Sequence, residues 1–122
     1  MPKITHFEIF AKDVKKIMQF YENTFGWQFK KWEGPTEYWL IKTGDEKEPG
    51  IDGGFEKKRP KFEGTINTIE VTNLDDTIKK IIKNKGTIIV PKFAVFGVGW
   101  MVYFKDPEGT AFGVLQSDPT AK

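Results

Sequence analysis

From Ile4 to Phe10, apolar and polar side chains alternate in a run rich in β-branched and aromatic residues, which predicts a strand. A period of two sets His6, Glu8 and Phe10 on one face, and Phe7 and Ile9 on the other. The spacing then changes. Val14, Ile17, Met18, Tyr21 and Phe25 recur at the helical interval, with Asp13 able to cap the start and Gly26 able to close the end in a left-handed conformation. Short strands are expected over 27–32, 38–42 and 51–55. The Gly34-Pro35 turn and the charged loop from Gly44 to Gly50 separate them.

After a charged stretch the order begins again. Residues 65–72 predict a strand, and Asn73 or Asp75 can cap a helix carrying Leu74, Ile78, Ile81 and Ile82 that stops at Gly86. Strands follow over 87–90, 100–104 and 111–116. Pro91 to Gly99 reads as a long connection, whose Gly97-Val98-Gly99 is either a plain surface loop or a flap. Asp106-Pro107-Glu108-Gly109 is a structural turn. A shift of 60 residues brings Ile9 onto Ile69, Asp13 onto Asn73, Met18 onto Ile78, Gly26 onto Gly86 and Gly53 onto Gly113. Cap, apolar stripe, closing glycine and strand glycine coincide, which is the mark of an internal repeat. The expected fold is therefore α+β: two tandem βαβββ modules forming an open, barrel-like sheet around a cleft. Module 1 covers 4–56, a linker 57–64, and module 2 65–117, all within a single domain of 1–122. One helix can cover only one face of each sheet, so the strand faces turned away from the helices are the candidate site. With Phe7 and Ile9 packed on the helix, His6, Glu8 and Phe10 are left for that site.

Composition narrows the chemistry. The 122 residues suit one domain, and 39% hydrophobic with 30% charged residues is an ordinary globular balance. A net charge of +2 gives no footing for nucleic acid, and the run Lys57, Lys58, Arg59 and Lys61 reads as a solvated loop. The absence of cysteine excludes disulfides, thiolate metal sites and thiol nucleophiles. No apolar run approaches the length of a membrane span, and Met1-Pro2-Lys3-Ile4-Thr5 lacks the apolar core of a signal peptide, so a cytoplasmic location is expected. Aromatic residues at 15%, four of them tryptophan, exceed what a small core needs and suggest a lined cavity. Phe10, Trp39, Trp100, Tyr103 and Phe112 are the candidates to line it. Alternation puts Trp100 and Val102 on one face of their strand and Met101 and Tyr103 on the other, and leaves open which of them points inward.

Three stretches carry a family resemblance: His6-Phe7-Glu8-Ile9, then Phe20-Tyr21 with Phe25-Gly26-Trp27, and Asp106-Pro107-Glu108-Gly109 before Phe112-Gly113. With its paired βαβββ units, the chain resembles the vicinal oxygen chelate superfamily, which includes glyoxalase I, extradiol dioxygenases and bleomycin-resistance proteins. Gly50-Ile51-Asp52-Gly53-Gly54 and Val98-Gly99-Trp100 are most similar to a bacterial glyoxalase-related branch. The resemblance implies homodimers, and in the metalloenzymes a divalent metal held by up to four side chains from the first and last strands of each module. His6 matches one of those positions. The other three fall on Gly53, Ile66 and Gly113, which offer no donor atom. A metal of this kind needs several oxygen or nitrogen donors, so no tightly bound metal or other cofactor is expected, and metal-dependent glyoxalase or dioxygenase activity is disfavoured. Glu56, three residues past Gly53, would alternate to the face opposite that glycine. Glu8 and Glu70 remain as substitutes near His6.

His6 is the only histidine, and its ordinary pKa near neutrality suits a general base. Glu8 beside it could orient the ring, and Glu8 with Glu70 could share acid–base work in an apolar setting. Each is equally readable as a solvated residue near a strand end. Two functions follow: a glyoxalase-like protein acting on a small organic molecule without bound metal, or a non-catalytic protein that sequesters an aromatic or apolar ligand. In both, the partners expected are a small molecule and a second copy of the chain.

Overall fold

The computed structural model describes residues 2–122, and the chain divides into two compact units. One spans His6–Ile66; the other spans Asn67–Lys122 with the start of the chain up to Thr5. The element order is β1 (Lys3–Ala11), α1 (Val14–Phe25), β2 (Gln28–Lys31), β3 (Trp39–Lys42) and β4 (Asp52–Lys57). It then repeats as β5 (Gly64–Glu70), α2 (Leu74–Lys83), β6 (Thr87–Val95), β7 (Gly99–Lys105) and β8 (Ala111–Ser117). This is an α+β chain of two βαβββ modules. Among the described residues no helix is long and apolar enough to cross a membrane.

In the first module the strands are ordered β2-β3-β4-β1. β1 and β4 run parallel, while β3 is antiparallel to both β2 and β4. The Asp13 carboxylate accepts from Lys16 N and caps α1, and Gly26 closes it at φ 73°. Only glycine adopts that conformation without crowding its own Cβ. The apolar stripe of α1 is laid on the sheet. Met18, Ile41 and Phe55 form the buried core, with Phe7, Ile9, Val14, Ile17, Tyr21, Trp27, Phe29 and Trp39 packed around them. This settles the β1 faces as alternation predicts: Phe7 and Ile9 lie under the helix.

In the second module the order is β6-β7-β8-β5, with β5 and β8 parallel and the other pairs antiparallel. Asn73 caps α2 through Asp76 N. A side chain from β8 adds a second cap, Gln116 Oε1 accepting from Leu74 N at 2.7 Å. Leu74, Val102 and Val114 form the core, joined by Val71, Ile78, Ile81, Ile88, Trp100 and Phe104. β7 is thereby oriented: Trp100, Val102 and Phe104 face α2, and Met101 and Tyr103 face away.

Two expectations are corrected here. The helix of module 2 ends at Lys83, and the left-handed residue beyond it is Lys85 at φ 72°. Gly86 serves a different purpose from Gly26: an added Cβ would stand 2.7 Å from Ile81 Cγ2 and 3.1 Å from the Ile81 carbonyl oxygen. The long connection from Pro91 to Gly99 is also replaced. β6 continues through Pro91 to Val95, and the pairing with β7 slips between Ile88 and Val90 and again between Val90 and Phe93. Such bulges are where a strand can carry a proline. What remains is a tight turn over 96–98, closed by Val98 N to Val95 O at 2.9 Å. The C-terminal segment pins it: Asp118 N donates to Val98 O at 2.9 Å and Gly97 N to Ala121 O at 3.0 Å. A flap is not what this segment forms.

Candidate functional site

The register of β1 against β4 corrects the reading of the ligand positions. His6 is paired with Asp52, Phe7 with Gly53, Glu8 with Gly54 and Phe10 with Glu56. Gly53 therefore belongs to the helix side, where an added Cβ would collide with the Phe7 carbonyl and ring. Asp52, Gly54 and Glu56 share the face of His6, Glu8 and Phe10. Glu56 does alternate to the face opposite Gly53, but that face is the one His6 occupies, and the Glu56 carboxylate is engaged by the Arg59 guanidinium. In the second module Thr68 is paired with Gly113, so the shift between modules is 60 at the first strands and 59 at the last, Gly54 to Gly113.

His6 meets a residue that sequence reasoning passed over. Its Nε2 lies 2.8 Å from the Tyr38 hydroxyl, and the two rings are stacked with centroids 6.4 Å apart and planes 18° from parallel. Burial pushes the imidazole below its ordinary pKa of 6.5, and the Asp52 carboxylate opposes that shift without overcoming it. His6 is accordingly neutral near pH 7. Tyr38 reaches it by lying over Gly54, where any Cβ would fall within the phenol. Trp32 stands edge-on to Tyr38 at 6.1 Å, and its backbone N–H donates to the Tyr38 carbonyl at 2.8 Å. The Trp32 ring is itself seated over Gly34. The sequence signal for all this was the Gly53-Gly54 pair inside a strand, a mark of close approach by another group.

The remaining candidates are distributed as follows. Glu8 is 5% exposed on the His6 face. Phe10 is buried there against Phe62, centroids 5.5 Å apart, with Arg59 stacked on Phe62 at 4.2 Å. Glu70 belongs to the second unit, where it accepts from Thr5 Oγ1 at 3.4 Å and Ser117 Oγ at 3.1 Å. Tyr103 is buried on the face away from α2, stacked on Phe93 at 6.0 Å. Three aromatics lie on the helix sides. Trp39 packs into the α1 core and Trp100 into the α2 core, while Phe112 stacks on Phe104 at 6.1 Å. Trp100 also donates from Nε1 to Asp118 at 3.1 Å. Hydrogen bonds from the Thr120 hydroxyl, the Thr120 N–H and this indole hold Asp118 below its ordinary value. Ile66 is buried and apolar.

Among the described residues, no three His, Asp or Glu side chains gather into a group that could hold a metal ion. Near His6 the imidazole Nε2 is engaged by Tyr38, and Asp52 Oδ1 accepts from Thr43 N at 2.9 Å and Thr43 Oγ1 at 3.1 Å. What the arrangement offers is a neutral imidazole sharing a proton position with a phenol.

Residues 3–114 match the sequence profile of the Glyoxalase/Bleomycin resistance protein/Dioxygenase superfamily, and the chain belongs to that superfamily. No curated protein sequence matches it. Solved structures share its fold at low identity. A hypothetical protein of Bacillus halodurans C-125 is 13% identical with a TM-score of 0.71, over 99% of this chain and 98% of the other. A methylmalonyl-CoA epimerase of Streptomyces coelicolor, in complex with 2-nitronate-propionyl-CoA, gives 13% and 0.71 over 98% and 97%. A superfamily member from Vibrio splendidus 12B01 gives 16% and 0.67 over 97% and 100%.

Proposed function

We propose that the protein acts on a small carbonyl compound by metal-independent proton transfer, with His6 and Tyr38 as the working pair. The observation that carries this reading is the 2.8 Å contact between His6 Nε2 and the Tyr38 hydroxyl, made by an imidazole that burial keeps neutral. A phenol both donates and accepts. A proton leaving a carbon next to a carbonyl passes to the Tyr38 oxygen as the phenolic proton passes to Nε2. The electron pair moves onto the carbonyl oxygen as an enolate, and the reverse path returns a proton to carbon. The pair ends as phenol and imidazolium, so charge is conserved. The Asp52 carboxylate, paired with His6 across the sheet, favours the imidazolium.

The test is deuterium uptake by a panel of small carbonyl compounds in D2O with a chelator present. Kinship of fold with an epimerase makes methylmalonyl-CoA a sensible first member of that panel. Exchange at carbon is expected, and His6→Gln or Tyr38→Phe should each slow it by about 10²- to 10⁴-fold, the usual contribution of a positioned acid or base. Exchange that requires added metal, or that both variants retain, would overturn the reading. A second reading, non-catalytic binding of an aromatic ligand, draws support from the edge-on Trp32–Tyr38 pair. It predicts thermal stabilisation by a ligand with no exchange at all.

A further inference from the structure

We propose that Gly54 is a positioning residue, a seat that sets the Tyr38 phenol against His6. Strand alternation aims any side chain at position 54 toward the His6 face, in register with Glu8. The three atoms nearest to a Cβ added there all belong to Tyr38, its hydroxyl oxygen first. Glycine leaves the volume empty and the phenol fills it. No left-handed backbone conformation explains the glycine, since Gly54 is not among the positive-φ residues. The backbone would therefore accept alanine, and the cost of a methyl group falls on the position of Tyr38. Trp32, itself seated over Gly34, stands edge-on to the phenol. Two glycines and one tryptophan thus fix where a hydroxyl stands relative to one imidazole nitrogen.

The chemical meaning of that seat rests on the proposed proton transfer, but its test does not. The chain has one histidine, so the imidazole ¹⁵N resonances of the full protein report His6 alone. Gly54→Ala is expected to move the Nε2 resonance in the direction that Tyr38→Phe moves it, because both remove the hydroxyl from Nε2. In the double variant the alanine should add nothing further. Backbone amide dispersion and the unfolding temperature serve as the control for folding, and Gly54→Ser gives a second variant should the alanine protein be poorly expressed. An unmoved Nε2 resonance in folded Gly54→Ala or Gly54→Ser, with a moved one in Tyr38→Phe, overturns the proposal. So does a double variant whose shift is the sum of the two singles. Where wild type catalyses exchange, Gly54→Ala should match the loss in Tyr38→Phe within a few-fold. The resonance pattern without any exchange would retain the seat and reject the proposed function. Exchange that survives Gly54→Ala with an unmoved resonance would do the opposite.

Discussion

His6 carries a consequence for stability as well as for chemistry. Its folded pKa is lowered by burial, so below 6.5 the unfolded chain binds a proton more readily than the folded one. Stability is full above the ordinary value and falls as pH drops through the lowered one. The paired comparison is with His6→Gln, which lacks the titration and keeps a hydrogen-bonding side chain. From about pH 8 to about pH 5, urea unfolding should show wild type losing ground to the variant. A constant difference between the two would mean that burial does not bear on the imidazole. At this scale the sequence was legible in part. Alternation alone placed His6, Glu8 and Phe10 together, because a strand has only two faces. It could not deliver Tyr38, whose place depends on a ring crossing from the β2–β3 connection onto Gly54. The ligand position assigned to Gly53 failed because a fixed repeat shift does not report which residue of β4 stands beside His6.

Among the elements, the ends of the two helices differ in a way that can be measured. Gly26 and Gly86 coincide in the repeat, yet only Gly26 is left-handed; in module 2 that conformation falls on Lys85. A non-glycine residue there carries about 1–2 kcal/mol of crowding. Lys85→Gly should therefore leave the protein as stable as wild type or more so, the relief exceeding the added chain entropy. Gly86→Ala should destabilise by about 1–3 kcal/mol as the methyl meets Ile81. Denaturant midpoints decide both, and a stabilising Gly86→Ala would refute the packing account. Helix caps and apolar stripes were readable because they are local rules. The extent of β6 was not, since Pro91 signals an interruption unless a bulge accommodates it, and the bulge is set by pairing with β7.

Over the whole molecule the repeat decided the architecture, and the structure gives each module its own core. Met18, Ile41 and Phe55 share no member with Leu74, Val102 and Val114. Met18→Ala and Leu74→Ala should each cost about 2–5 kcal/mol, with the larger loss at Leu74, which is 0% exposed against 9% for Met18. The costs should add in the double variant, because the two clusters share no residue. Strong non-additivity in equilibrium unfolding would show that the two cores are coupled.

The connections break the symmetry that the strands preserve. Residues 32–38 join β2 to β3, and 43–51 join β3 to β4, whereas the equivalent joins in module 2 are the tight turns at 96–98 and 106–110. Trp32 and Tyr38 both belong to the first of these longer segments. The two halves are nearly equal in length, with a shift of 60 at the first strands and 59 at the last, so the chain that module 2 puts into longer strands goes in module 1 into connections that bring side chains to a sheet face. In the other half β6 and β7 hold nine and seven residues where β2 and β3 hold four each. A surface loop can be lengthened at small entropic cost, since closure entropy grows only with the logarithm of length. The first module is thus the half in which specificity can drift by insertion, leaving the framework of both halves intact.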